Sequence, residues 1–156
     1  MELAEAVERL EAMPDFLMAS IEHASPDRLK ARPASGEFSL LEHACHLRDL
    51  EREGYLVRVR RMLEERSPVL EPFDGAAVAS ARDSLSQDAS VAAQEFAAAR
   101  RELTGLLAPL TEDDLGRDAT FGGKPIRLRG LLEMMLEHDR GHRAEIERLL
   151  DSTQAR

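Results

Sequence analysis

Five histidines occur in this chain, and four of them fall in two tight pairs: His43 with His46, and His138 with His142. The second pair is four residues apart in a segment whose apolar stripe is Leu128, Leu131, Met135, Ile146 and Leu149. At about 100° per residue, both imidazoles lie on that stripe, one turn apart, where a helix is most buried. A buried imidazole needs partners for both ring nitrogens. A metal ion on one and a hydrogen bond on the other would supply them. On the other helix, wheel geometry puts His43 inside the apolar arc and His46 at its edge, so periodicity alone selects His43. One histidine from there and two from the last helix make three neutral nitrogens. With water in the remaining positions, that is the donor set of an exchangeable or catalytic divalent-metal site.

Other chemistries fit less well. His138-Asp139-Arg140-Gly141-His142 has the outer spacing of the zinc-protease motif, but Asp139 stands where the general-base Glu belongs. A di-iron bundle needs Glu-x-x-His pairs, and no histidine here has a Glu three residues before it. His23 reads as an ordinary cation at a helix end, and Cys45 as a structural or surface thiol. Asp49 and Glu145 follow His46 and His142 by three residues and are candidates for carboxylates behind the ligands. Arg58, Arg60 and Arg61 sit among Glu51, Glu53, Glu64 and Glu65 and read as a solvated face. Arg100 and Arg101 read as solvated or paired with a helix carboxylate.

The elements that must carry these residues are helical. Leu3, Val7, Leu10, Leu17 and Ile21 mark a first helix, kinked or restarted at Pro14. Ser25-Pro26-Asp27 caps a short turn, and residues 31–37 form a loop. Ser39 with Glu42 makes a capping box that opens a second helix. Its apolar positions are Leu40, Ala44, Leu47, Leu50 and Val57, and it ends near Arg66. Residues 67–86 hold two prolines and predict a long crossover along the bundle. A third helix is predicted from about Ser86 to Leu107, a capped turn at Thr111, a tight turn or small hairpin at Phe121-Gly122-Gly123-Lys124-Pro125, and a last helix from Arg127 to Ser152. The expected fold is all-α, a four-helix bundle with a long crossover between its second and third helices, occupying residues 1–156 as one domain.

Composition agrees. Aromatic residues are 4% and Trp is absent, so the core must be built from Leu, Ala, Val, Met and Ile, which suit helix packing. A net charge of −9 disfavours nucleic-acid binding. One cysteine cannot form an internal disulfide. The N-terminus lacks a signal-peptide pattern, and no stretch approaches the ~20 apolar residues of a membrane span. A cytoplasmic protein with a small-molecule substrate, no nucleic acid and no membrane is expected.

Several motifs, in order, resemble the DinB-like (YfiT-like) metalloenzymes, which are distinct from the DNA polymerase of similar name. They are Pro33 and then residues 38–51, Phe96 with Arg100, residues 110–115, Gly123, and residues 138–146. The family's His-Leu-x-Asp-x-Glu signature falls on His46, Leu47, Asp49 and Glu51, and its closing His-x-x-x-His on His138 and His142. Phe38 stands for the usual Trp, and Glu145 for a frequent Gln. The resemblance implies a bundle, often homodimeric, with zinc or nickel held by His46, His138 and His142, and so prefers His46 to His43. It further implies a metal-dependent transferase joining a low-molecular-weight thiol to an electrophile. A metal-dependent hydrolase and a non-catalytic metal-binding or stress-response module are the alternatives. A bound divalent ion lowers the pKa of water from ~16 to ~7 and can deprotonate a thiol outright.

Overall fold

The computed structural model describes residues 1–154, with 152–154 as backbone only. Helix α1 spans Leu3–Glu22 and runs through Pro14 as one uninterrupted element rather than restarting there. The short α2, Pro26–Lys30, is capped by the Ser25 hydroxyl, which accepts from the Arg28 amide. The capping box is formed as expected: Ser39 Oγ accepts from the Glu42 amide at 3.2 Å, and Glu42 Oε1 accepts from the Ser39 amide at 3.1 Å. It opens α3, Leu40–Leu50, which continues through a π-helical turn at Glu51–Tyr55 into α4, Leu56–Glu64. A π turn closes i→i+5 hydrogen bonds and so accommodates one extra residue. Everything after it is displaced by about 100° relative to a straight α-helix. Val57, expected to face inward, is consequently 43% exposed, while Val59 and Met62 are fully buried.

The crossover is more structured than a Pro-rich loop. It holds strand β1 (Val69–Leu70), helix α5 (Gly75–Ala81, capped by Asp74) and a 3-10 turn at Ser84–Ser86. Asp88 then caps α6, Ala89–Leu107. Thr111 and Asp114 cap α7, Glu112–Leu115. The small hairpin forms from β2 (Asp118–Phe121) and β3 (Lys124–Arg127). Its two central residues, Gly122 and Gly123, have φ of 61° and 76°, the left-handed pair that a two-residue hairpin turn requires. β1 pairs in parallel with β2, setting Val69 against Thr120 and Leu70 against Phe121. This three-stranded sheet ties the crossover to the base of α8, Leu128–Gln154.

Both α1 and α3 pack against α6 and α8, so α1 and α3 stand across the bundle from each other although they are consecutive. The same holds for α6 and α8. Steps across a bundle need long links, and these are the links that hold α2 and the α7–hairpin unit. No helix among the described residues is long and apolar enough to cross a membrane.

The core is divided. One apolar cluster gathers Leu10, Leu50, Val59, Met62, Leu103, Leu131 and Met135. The other gathers Met13, Leu17, Leu41, Ala44, Phe96 and Ile146. Between Phe96 and Leu103 on α6 lies buried Arg100, and between Met135 and Ile146 on α8 lie His138, Asp139 and His142. A polar layer thus crosses the bundle where the two clusters meet.

Candidate metal centre

The structure brings His46, from the middle of α3, together with His138 and His142 on successive turns of α8. One ring nitrogen from each lies within 4.8 Å of the others. His138 Nε2 and His142 Nε2 are 3.1 Å apart. Two imidazole nitrogens bound to a tetrahedral zinc ion at about 2.0–2.1 Å stand about 3.3 Å apart, so the α8 pair is already at ligand spacing. His46 Nδ1 and His138 Nδ1 are buried without a hydrogen-bond partner. Protein groups alone therefore leave this cluster unsatisfied, and an unpaired buried nitrogen costs about 1–3 kcal/mol. His138 Nε2 and His142 Nε2 meet nitrogen against nitrogen, and three neutral imidazoles converging in this way fit a divalent ion of borderline softness.

Electrostatics keep the donors neutral. Burial is the largest cause in every case. His138 falls to about 4, with the neighbouring His46, Arg100 and Arg58 adding to the effect. His142 falls to about 2, pressed further by His138, His46 and His43. His46 is lowered as well, with Asp49 opposing.

His43, which the wheel preferred, is buried beneath this trio, 1% exposed. Its Nδ1 is 3.0 Å from His142 Nδ1, and its Nε2 is 3.5 Å from Glu145 Oε2. With His142 and Glu145 it makes a second set of possible donors. His142 presents Nδ1 to this set and Nε2 to the first. Of the first set, His46 and His138 line a cavity. In the second, burial and the neighbouring Glu37 raise the Glu145 pKa, and its carboxylate lies 3.5 Å from His43 Nε2 and 3.8 Å from His142 Nδ1. His43 is thus placed to fix the ring of His142 from behind. Apolar periodicity found the most buried histidine, His43, whereas His46, at the arc's edge, lines that cavity.

Gly75, the first residue of α5, packs directly on His46. A Cβ built there would lie 2.4 Å from His46 Cε1 and 2.7 Å from Nδ1. Asp49, placed near the ligands by sequence, turns instead to Arg48 and Arg82. Beside the histidines lies a cavity of 490 Å³ lined by His46, His138, Leu50, Tyr55, Arg58, Pro72, Phe73, Phe121, Met134 and Glu137. The Tyr55 ring, presented by the π turn, is 6.0 Å from that of His138. Nothing in the sequence pattern marks Gly75, Tyr55 or Arg58. The wheel is out of phase after the π turn, and Gly75 contacts the site only through the crossover. Cys45 is buried, and His23 Nδ1 reaches the Ala19 carbonyl at the end of α1, as their neighbourhoods suggest.

Fold and site together define a helical bundle with a polar layer of converging imidazoles opening on a cavity. The chain belongs to the DinB superfamily, whose family model matches residues 9–146. Among solved structures it is similar to YfiT from Bacillus subtilis, with a TM-score of 0.90 and 22% identity, over 98% of this chain and 88% of that one. YfiT is described as a probable metal-dependent hydrolase with an unusual four-helix bundle topology, and at this identity the likeness establishes the fold. No curated protein matches the chain significantly.

Proposed function

We propose that the protein is a metal-dependent transferase in which His46, His138 and His142 hold one divalent ion, zinc or nickel, and a low-molecular-weight thiol is joined to an electrophile in the adjoining cavity. One observation carries this reading. The imidazoles open on a cavity whose one carboxylate, Glu137, is 70% exposed and paired with Arg140. A hydrolase calls for a base poised near the attacking water, and the lining offers no buried carboxylate for that role. When bound, the ion would supply Lewis acidity and lower the pKa of a coordinated thiol or water. The chain's own residues have simpler tasks. His43 holds the His142 ring, Gly75 lets His46 reach inward, and Phe73, Phe121 and Met134 shed water from the substrate.

A hydrolase is the second reading, supported by the likeness to YfiT. A non-catalytic module would need no cavity beside its ion. We retain as part of the proposal the symmetric homodimer that the resemblance implies. Light scattering that reports the 17.4 kDa monomer would reject it.

Zinc titration by calorimetry tests the centre. His142→Ala should abolish high-affinity binding, and His43→Ala should weaken it about tenfold, as for loss of a partner behind a ligand. Unchanged binding in His142→Ala rejects the centre. With zinc loaded, conjugation of bacillithiol, mycothiol or glutathione to monochlorobimane should exceed 4-nitrophenyl acetate hydrolysis. The reverse order selects the hydrolase.

A further inference from the structure

Three arginines are buried among the described residues, Arg48, Arg58 and Arg100. Two have carboxylates at hand. Arg100 bonds Glu51 Oε2 at 2.5 Å and Asp139 Oδ2 at 2.6 Å. Arg48 bonds Asp49 Oδ1 at 3.0 Å and lies 3.9 Å from Glu95 Oε1. Arg58, 5% exposed, has none among the described residues. Its Nε and Nη2 both donate to the Glu71 carbonyl, each at 3.3 Å. Its guanidinium carbon lies 4.5 Å from the centre of the Phe121 ring and 5.4 Å from that of Tyr55. Both rings and Arg58 itself line the cavity, together with His46 and His138.

A guanidinium withdrawn from water without an anion is costly, and one neutral carbonyl and two ring faces repay only part of that cost. The remaining requirement is for a negative group, and the cavity that Arg58 lines gives one access to it. A planar fork of N–H donors matches a carboxylate or a phosphate-like oxyanion. Around it the lining is apolar: Leu50, Pro72, Phe73, Phe121 and Met134. Glu137 also lines the cavity, but it is paired with Arg140.

We propose that Arg58 is the specificity-determining residue of the cavity, and that the substrate carries an anionic group, bound by the Arg58 guanidinium, on an apolar body seated between Phe73, Phe121 and Met134, with its reactive end toward His46 and His138. The inference rests on the metal-enzyme reading only for the direction of the reactive end. The anion site itself stands without it.

The test uses 4-phenylbutyrate and its neutral counterpart 4-phenylbutanamide as probes, titrated calorimetrically into metal-free and zinc-loaded protein. The wild type should bind the carboxylate roughly tenfold or more tightly than the amide in both forms, the contribution of a charge-assisted pair. Arg58→Met should bring the two probes to equal affinity, and Arg58→Lys should keep a reduced preference for the carboxylate. If Arg58→Met does not fold, Arg58→Lys decides alone: weaker carboxylate binding with unchanged amide binding supports the site, and equal losses for both overturn it. A preference seen only with zinc and surviving Arg58→Met means that the carboxylate ligates the metal, which overturns the proposal. So does absence of 4-phenylbutyrate binding to either form at about 10 mM. A protein that binds no zinc but keeps the Arg58-dependent preference would reject the metal centre and leave this inference standing.

Discussion

Arg100 and Arg58 place the same charged group inside the same bundle, and their surroundings differ in every respect that decides stability. Arg100 is sealed in the polar layer, with two carboxylates and the Leu10 carbonyl at 2.9 Å to occupy its donors. It joins α6 to the π turn, to α8 and to α1. The carboxylates raise its pKa above the ordinary value although burial works against the charge. Arg58 has no such partners, and burial lowers its pKa, opposed only by Tyr55. A satisfied buried cation is part of the framework, whereas an unsatisfied one beside a cavity is held ready for something that arrives. Adjacent residues on α8 make the same division, His138 facing the cavity and Asp139 facing Arg100.

Stability measurements can break this comparison most directly. Arg100→Met should lose about 3–5 kcal/mol in urea unfolding, because Glu51 and Asp139 would be left buried without a counter-charge. Arg58→Met should cost under about 1 kcal/mol, since no buried carboxylate is stranded and a desolvation penalty is relieved. Equal losses would abolish the distinction.

Acid should then act on the histidine side of the layer. In the metal-free protein the folded His43 and His138 stay neutral down to about 4, and His142 to about 2, while unfolded histidine takes its proton near about 6.5. Between about 6.5 and about 4 the unfolded state holds more protons, so stability is fully present above that window and declines as pH falls through it. Each such imidazole contributes about 1.4 kcal/mol per pH unit. Thermal melts of metal-free protein at pH 7, 6 and 5 would check this, and an unchanged midpoint would show that the imidazoles are solvated. Gly75→Ala should have the smallest effect. The His46 ring must shift to admit the methyl group, so zinc affinity should fall several-fold while urea stability stays within about 0.5 kcal/mol.

Much of this was legible in the residues. The capping box at Ser39, the pairing of histidines on two helices and the hairpin glycines each follow from local rules, and each stands in the structure as those rules predict. The wheel also ranked His43 above His46 in burial correctly. What it could not convey is which of the two lines the cavity, and that is His46. The reading of Arg58 as part of a solvated face failed because neighbouring glutamates describe charge along the chain, not the packing of Phe121 from a hairpin more than sixty residues away. β1 escaped because two residues carry no alternation to read. Arg100 is paired with carboxylates, as one of its two sequence readings expected, and so are Arg48 and Arg140.

The π turn at Glu51–Tyr55 has a consequence for anyone aligning this chain with its relatives. It is, in effect, a one-residue insertion absorbed without a loop. Against a relative whose corresponding helix is a plain α-helix, the histidine half and the Arg58 half cannot both be matched without a gap between residues 50 and 56. An ungapped alignment would set solvent-facing Val57 against a core position and move Arg58 off the cavity. It would erase the anion-binding residue from a comparison in which every histidine still looked correctly placed.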